Sequence, residues 1–194
     1  MKKPENHIND KKNNKLLYHT PFLDMFQSAR GFFYSQRKNV NSIAALCFRY
    51  KPDLTVEFFV HYQPMPQIVE KHYIDDMYPC PITGGFDGNE SPLECAMREV
   101  YEEGGLHVNE SHFIASTKAI ASTQMNEQVF HFLFEVTNVP QEIPKTDGSF
   151  FEQIADNVWL NEEQLRKILL DEKAVKLSSL YICYLLWLEH QNKN

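Results

Sequence analysis

From Val40 onward, the apolar positions of this chain fall into short runs rich in β-forming residues. Such runs, bounded by turn-forming residues, are typical of strands. The turn-like Lys51-Pro-Asp53 separates the first two runs and predicts a hairpin. Gln63 to Pro81, with four prolines, is expected to be a long connection. The predicted strands are Ser42 to Phe48, Thr55 to His61, His112 to Ala121, Gln128 to Val136 and Asn157 to Leu160.

A helix is predicted in the middle of the chain, between the two pairs of strands. Ser91-Pro-Leu-Glu94 is a capping box with proline at the first helical position, so the helix should begin at Pro92. Gly104 and Gly105 should end it about three turns later, because glycine adopts the left-handed conformation of a helix C-cap.

Two more helices are predicted near the carboxyl end. Asn161-Glu-Glu-Gln164 resembles a second capping box and should open a helix to about Leu170. Ser178 or Ser179 should begin a largely buried last helix. Mixed strands with these helices predict an α/β or α+β fold.

The amino-terminal region divides into two parts. Residues 1 to 15 have almost nothing to bury, and we expect a mobile arm. Residues 16 to 34 are apolar and aromatic with a break at Gly31, which predicts a hairpin or strand packed on the main domain or on a second subunit. A chain of 194 residues with 43% apolar content needs only one core, so residues 16 to 194 are predicted to be a single domain.

Charge and cysteine content exclude several classes of protein. A net charge of −7 argues against binding to nucleic acid or to a membrane surface. The longest apolar run, Leu180 to Leu188, is too short to span a bilayer, and the first fifteen residues lack the apolar core of a signal peptide. The four cysteines form no CxxC pair, which predicts free thiols in a reducing cytoplasm.

The central helix carries the candidate chemistry. Glu99, Glu102 and Glu103 lie at i, i+3 and i+4, which stacks three carboxylates on one helix face. Their repulsion is relieved by a cation or a base, and hard oxygen ligands suit Mg²⁺ or Mn²⁺. The alternative is a solvated acidic helix turn. The histidines are scattered and are interpreted as surface or core residues.

The segment from Gly84 to Leu106, GGFDGNESPLECAMREVYEEGGL, resembles the signature of the Nudix family, hydrolases of nucleoside diphosphates linked to another moiety. The resemblance implies an α/β/α sandwich with a mixed β-sheet and hydrolysis of a phosphoanhydride in a small nucleoside diphosphate substrate. It also implies roles for residues in and beside the segment. The metal ligands would be Glu99 and Glu103 supported by Glu102, with the backbone carbonyl of Thr83, and the catalytic residues would include Glu102 and Glu103. The motif positions with structural roles would be Gly84, Glu90, Arg98 and Gly105, with Arg98 pairing with Glu90 to hold the loop against the helix.

Outside that segment, the layout resembles the ADP-ribose pyrophosphatase and nucleotide-sugar branch of the family. In that branch a glutamate from a flexible loop serves as metal ligand or base, a place that Glu152 matches, with an exposed loop glutamate as the alternative. Glu127 is a second candidate for the same role. Arg37, just before the first strand of the domain, would bind the diphosphate, although an arginine beside a strand is also a common solvated edge charge.

The chain departs from that branch at three places. Gln63-Pro64 stands where an arginine is usual, Ala121-Ser122 where a proline is usual, and Asn89 where a glycine is usual. These departures concern the substrate more than the reaction.

The first hypothesis is therefore a Mg²⁺-dependent hydrolase that cleaves ADP-ribose or a nucleotide sugar into a nucleoside monophosphate and a sugar phosphate. The alternatives are house-cleaning hydrolysis of altered nucleoside triphosphates and a non-catalytic module that senses a nucleotide. An enzyme acting on capped RNA would require a basic surface. Residues 16 to 40 are predicted to mediate a homodimer, partly by analogy with the family.

Overall fold

The computed structural model describes residues 13–73, 75–145 and 153–193. Most of the predicted amino-terminal arm and Glu152 lie outside the described residues. The strands are β1 (Lys15–His19), β2 (Leu23–Gln27), β3 (Phe33–Arg37), β4 (Ser42–Tyr50), β5 (Val56–Pro64), β6 (Met77–Cys80), β7 (Ile82–Gly85), β8 (Phe113–Ile120), β9 (Gln128–Glu135) and β10 (Asp156–Asn161). The helices are α1 (Pro92–Gly104), α2 (Glu162–Leu170) and α3 (Ser178–Gln191).

A mixed sheet of seven strands forms the centre of the molecule. Five of them follow the order β10-β5-β4-β9-β8, and the other two, β6 and β7, pair with β5 and β4. Strand β4 runs parallel to β9, whereas its pairings with β5 and β7 are antiparallel. Along one edge of β4, β7 pairs with the first half of the strand and β5 with the second half. Strand β6 pairs with the far end of β5, so β6 and β7 lie where β4 and β5 separate.

Strand β4 shows why the sheet has a layer of helices on each face. All residues from Ser42 to Phe48 are buried. Alternate residues point to opposite faces of a strand, so Ala44, Leu46 and Phe48 pack with α2 and α3, while Ile43, Ala45 and Cys47 pack with α1. Two apolar cores on one sheet confirm the predicted α/β/α sandwich.

Helix α1 approaches the sheet closely at its carboxyl end. A Cβ atom at Gly104 would lie 2.8 Å from Ile82 Cδ1 and 3.0 Å from Phe59 Cε1, so a side chain there would have to displace these neighbours. Gly105 has φ +68° and is the left-handed C-cap, as predicted. The end of α1 is thus held at a defined depth against β5 and β7.

The predicted strands from Ser42 onward are confirmed with small shifts of their bounds. The segment from Gln63 to Pro81, predicted as a connection, instead contains β6 and leads directly into β7. Strand β6 was not predicted because the segment contains prolines, which are disfavoured at most strand positions. In the structure, Pro79 nevertheless pairs in register with Tyr62. None of the helices in residues 13–73, 75–145 and 153–193 has the length and apolar character needed to cross a bilayer.

The amino-terminal region forms a separate three-stranded antiparallel sheet, β1-β2-β3, rather than a single hairpin or strand. Ser35 of β3 joins this sheet to the loop between β8 and β9: its N–H donates to the Gln124 carbonyl, and its carbonyl accepts from the Asn126 N–H, each at 2.8 Å. Several large apolar side chains of the sheet are at least two-fifths exposed: Leu16, Tyr18, Phe22, Leu23, Met25, Phe32 and Phe33. Arg37, the last residue of β3, therefore lies beside the end of the loop that leads into β9, where it contacts Glu127.

Candidate active site

The loop between β7 and α1 and the helix itself form the framework of the site. Ser91 Oγ accepts a hydrogen bond from the Glu94 N–H at 3.3 Å, and Glu94 Oε2 accepts one from the Ser91 N–H at 2.7 Å. This capping box, with Pro92 at the first position, confirms the predicted start of the helix. The capping box fixes where α1 begins and therefore which face of the helix meets β7.

The carboxylate of Glu99 packs directly against Gly84. A Cβ atom at Gly84 would lie 2.0 Å from Glu99 Cδ, so only glycine leaves room for the carboxylate. Glu99 is 8% exposed. Burial raises the pKa of Glu99 to about 7, and the adjacent Arg98 opposes the rise. A desolvated carboxylate of this kind is strongly stabilised by any cation that reaches it.

Arg98 holds the loop and the acidic face of the helix together. Its Nε and Nη2 atoms donate to the two oxygens of Glu90 at 3.1 and 2.8 Å, which is the predicted pairing. Its Nη1 atom donates to Glu99 at 2.9 Å and to Glu102 at 2.8 Å, and Nη2 also donates to the Gly85 carbonyl at 3.0 Å. The Arg98 hydrogen bonds lower the pKa of Glu90 to about 2, so its carboxylate stays ionised.

Glu103 lies where three cavities meet. Its side chain is 11% exposed. The first cavity, of about 690 Å³, also holds Glu99 and Glu102, and the second, of about 530 Å³, also holds Thr83 and Gly84. The third, of about 350 Å³, adjoins β10. Among the three glutamates, Glu103 is therefore the one that borders all three of these cavities.

Arg37 borders both of the larger cavities. Its Nη1 atom donates to Glu127 Oε1 at 3.0 Å, and Ser42 Oγ donates to the same oxygen at 2.6 Å. The Arg37 side chain is 43% exposed, whereas that of Glu127 is 6% exposed. Glu127, the second candidate for a base, thus orients Arg37 and lines only the 530 Å³ cavity among those described.

The oxygen donors of this site suit a hard divalent cation. The carboxylates of Glu99, Glu102 and Glu103 border one cleft, and no soft thiol or imidazole lines it among the described residues. In the described ranges, no three His, Cys, Asp or Glu side chains are already arranged around a common metal position. Glu99 and Glu102 are instead bridged by Arg98, which neutralises part of their charge.

Two residues beside Glu103 were not identified from the sequence. His61, predicted to be a surface or core residue, is buried, and its Nε2 atom lies 3.9 Å from Glu103 Oε2. Asn157 Nδ2 donates to the Glu103 backbone carbonyl at 2.7 Å. No local sequence signal marks either residue, because their proximity to the acidic helix depends on strand pairing.

Comparisons with known proteins give an independent assignment. The family model described as NUDIX domain matches residues 61–181. No curated protein sequence matches the chain. Among solved structures, one described as an ADP compounds hydrolase is similar with a TM-score of 0.63 and 15% sequence identity, covering 94% of this chain and 95% of that one. RenU, a Nudix hydrolase from M. smegmatis, is similar with a TM-score of 0.54 and 11% identity, covering 87% of this chain and 96% of that one. At these identities the two structures bear on the fold alone.

The family model spans more than half of the chain and includes the whole acidic helix. This chain therefore belongs to the Nudix family of hydrolases.

Proposed function

We propose that this protein hydrolyses the diphosphate linkage of a small nucleoside diphosphate derivative with the help of a bound divalent cation. The observation that carries the proposal is the buried carboxylate of Glu99 against Gly84, beside Glu102 and Glu103 on the same face of α1. An isolated acidic surface turn would not require a glycine cradle or a raised pKa. The buried carboxylate argues against the alternative of a solvated helix turn.

The cation would be Mg²⁺ or Mn²⁺, held by Glu99 and Glu103, with support from Glu102 and from the Thr83 carbonyl. When bound, it would neutralise charge that develops on the phosphate oxygens. Arg98 and Glu90 keep the loop and helix in register, and Gly105 ends the helix so that Glu103 faces the clefts. Except for Thr83, which lies just before it, each of these residues comes from the segment Gly84 to Leu106.

The phosphates of the substrate would be bound by Arg37. Arg98 uses its donors on three glutamates and a carbonyl, whereas Arg37 remains 43% exposed after its pairing with Glu127. An exposed guanidinium beside the carboxylate cluster can donate two parallel hydrogen bonds to the oxygens of a phosphate. Lys145 borders the same cleft and adds positive charge.

The proposed catalytic residues are Glu102, Glu103 and Glu152. Glu102 is the more exposed of the two helix glutamates, and Glu103 borders all three cavities. Glu152 is proposed as a ligand or base by analogy with the family branch, and the next described residue, Gln153, lines the 350 Å³ cavity together with Glu103.

The most suitable substrates are ADP-ribose and nucleotide sugars, which would give a nucleoside monophosphate and a sugar phosphate. Two cavities of about 530 and 690 Å³ share Arg37, Gly85 and Glu103, and can accept the two halves of a molecule whose diphosphate lies between them. The solved structure described as an ADP compounds hydrolase shares the fold over most of both chains, which is compatible with this class.

A substrate panel tests the proposal. Purified protein with Mg²⁺ is incubated with ADP-ribose, nucleotide sugars and nucleoside triphosphates, and the products are identified by chromatography. We expect two phosphate monoesters from a diphosphate substrate, and loss of turnover in the Glu103→Gln variant.

Release of pyrophosphate from a triphosphate would favour the house-cleaning alternative. Thermal stabilisation by a nucleotide without any turnover would favour the sensing module. Equal turnover by the wild type and Glu103→Gln would contradict the assignment of the site.

We also propose that residues 16–194 act as one Nudix domain after an arm of residues 1–15, whose last residue, Lys15, is already the first residue of β1. We propose further that the protein is a cytoplasmic homodimer. The exposed apolar residues of β1, β2, β3 and their turns, such as Phe22 at 81% exposure in the turn between β1 and β2, support dimerisation through residues 16 to 40. Light scattering after size-exclusion chromatography would test this, and a monomeric mass at micromolar concentration would contradict it. The four cysteines are free and buried, which suits a reducing compartment.

A further inference from the structure

Two polar side chains from neighbouring strands connect to the last turn of α1. His61 of β5 and Asn157 of β10 are register partners. His61 Nδ1 and Asn157 Oδ1 are 2.8 Å apart, and Asn157 Nδ2 donates to the Glu103 carbonyl at 2.7 Å. A buried imidazole is thereby connected through one amide to a proposed cation ligand.

The hydrogen bonds define the orientation of both groups. The Glu103 carbonyl only accepts, so the amide nitrogen of Asn157 must face it and Oδ1 must face His61. Since Oδ1 also only accepts, His61 Nδ1 is the donor. The other ring nitrogen of His61, Nε2, lies 3.9 Å from Glu103 Oε2.

The end of a helix depends on partners of this kind, because no N–H group within the helix donates to its last four carbonyls. The Gly105 N–H donates to the Tyr101 carbonyl, and the Leu106 N–H donates to the Val100 carbonyl. The Glu103 carbonyl accepts its hydrogen bond from Asn157 Nδ2. The last turn of α1 contains no basic residue. Asn157 is therefore a direct determinant of where the backbone of Glu103 lies.

We infer that His61 and Asn157 are positioning residues, which hold the last turn of α1 so that Glu103 is presented to the divalent cation. The inference rests on the proposed function, since it concerns the cation site assigned there. Groups that orient a metal ligand typically contribute 10- to 100-fold to metal affinity. Removing either residue should therefore weaken cation binding about 10-fold or more.

The test measures Mn²⁺ binding without substrate, from the electron paramagnetic resonance signal of free Mn²⁺ in titrations of the full-length protein. His61→Ala removes the donor to Asn157, and Asn157→Leu keeps a similar size but cannot donate to Glu103. His61→Asn places an amide N–H near the position of Nδ1. We expect the first two to raise the Mn²⁺ Kd about 10-fold or more, and His61→Asn to restore most of the affinity.

A matched control separates positioning from general stability. His131 is 1% exposed, is hydrogen-bonded to Ser179 and is not itself among the residues that line the three cavities bordered by Glu103. His131→Ala removes an equally buried imidazole, so we expect a lower melting temperature with the Mn²⁺ Kd unchanged. If His61→Ala does not fold, Asn157→Leu and His61→Asn still give the comparison.

The outcomes distinguish the inference from the proposed function. Wild-type Mn²⁺ affinity in Asn157→Leu and His61→Ala, together with loss of affinity in Glu103→Gln, would overturn the inference and leave the cation site in place. Wild-type affinity in Glu103→Gln as well would overturn the cation site itself. Failure of His61→Asn to recover affinity would show that the bond to Asn157 is not how His61 acts.

Discussion

Substitution of Gly84 by alanine is the sharpest test of the contact between strand β7 and the acidic helix. The added Cβ atom would lie 2.0 Å from both Cδ and Oε1 of Glu99. Ordinary contacts begin near 3.4 Å, so the carboxylate or the strand must move by more than 1 Å, on the order of the misplacement that impairs catalysis.

The magnitude follows from two opposing effects. Overpacking a buried site destabilises by about 1–3 kcal/mol. Replacing glycine by alanine stabilises by about 0.4–1 kcal/mol through the unfolded chain, where the native backbone is compatible. We expect a net destabilisation of about 1–2 kcal/mol, and a fall in kcat/KM of about 100-fold because Glu99 is displaced.

Gly85→Ala is the matched control for stability. Its Cβ atom would meet only ordinary contacts, 3.7 Å from Asn39 Nδ2 at the nearest, and it carries the same change in the unfolded chain. Urea unfolding of both variants and steady-state kinetics of Gly84→Ala against the wild type give the comparison. Equal stability of the two variants, with full activity in Gly84→Ala, would refute the reasoning.

Three further predictions concern the charged groups. Arg98→Lys keeps the charge but cannot reproduce the two-atom contact with the part-buried Glu90, so we expect a loss of about 1.5–3 kcal/mol in urea unfolding, as for a lost hydrogen bond to a charged group. The exposed Arg166→Lys should change stability by less than about 0.5 kcal/mol, and equal losses would contradict the role of Arg98. Because the pKa of Glu90 is lowered from 4.5 to about 2, its stabilisation is fully present above pH 4.5 and is lost as pH falls toward 2. Melting temperatures should therefore fall less steeply over this range in Glu90→Gln than in the wild type, and parallel profiles would count against the pairing. Arg37→Ala should raise KM about 10-fold, as expected for loss of one charge-assisted phosphate contact, and an unchanged KM for the diphosphate substrate would remove Arg37 from the phosphate site.

Local sequence signals predicted helix α1 and the contacts within it. The capping box of Ser91 and Glu94 and the left-handed Gly105 lie within a few residues of the groups that they serve. The pairing of Arg98 with Glu90 spans only eight residues, but it was expected from the family resemblance. The caps needed no knowledge of the rest of the fold, because helix geometry alone places their atoms.

Contacts between distant strands were not predictable in the same way. Arg37 and Glu127 are separated by 90 positions, and His61 and Asn157 by 96. A shift of one residue in the register of β5 and β10 would turn Asn157 to the opposite face of the sheet. Strand β6 was missed for a related reason, since its pairing with β5 outweighs the local effect of its prolines.

Helix α1, its acidic face and the family signature were predictable from residues a few positions apart, because caps and i, i+3 and i+4 spacing act over that range. The pairing of Glu127 with Arg37 and the approach of His61 and Asn157 to Glu103 became visible only in the folded chain. These contacts depend on the register and packing of strands far apart in the chain, which the side-chain pattern of each strand alone does not specify.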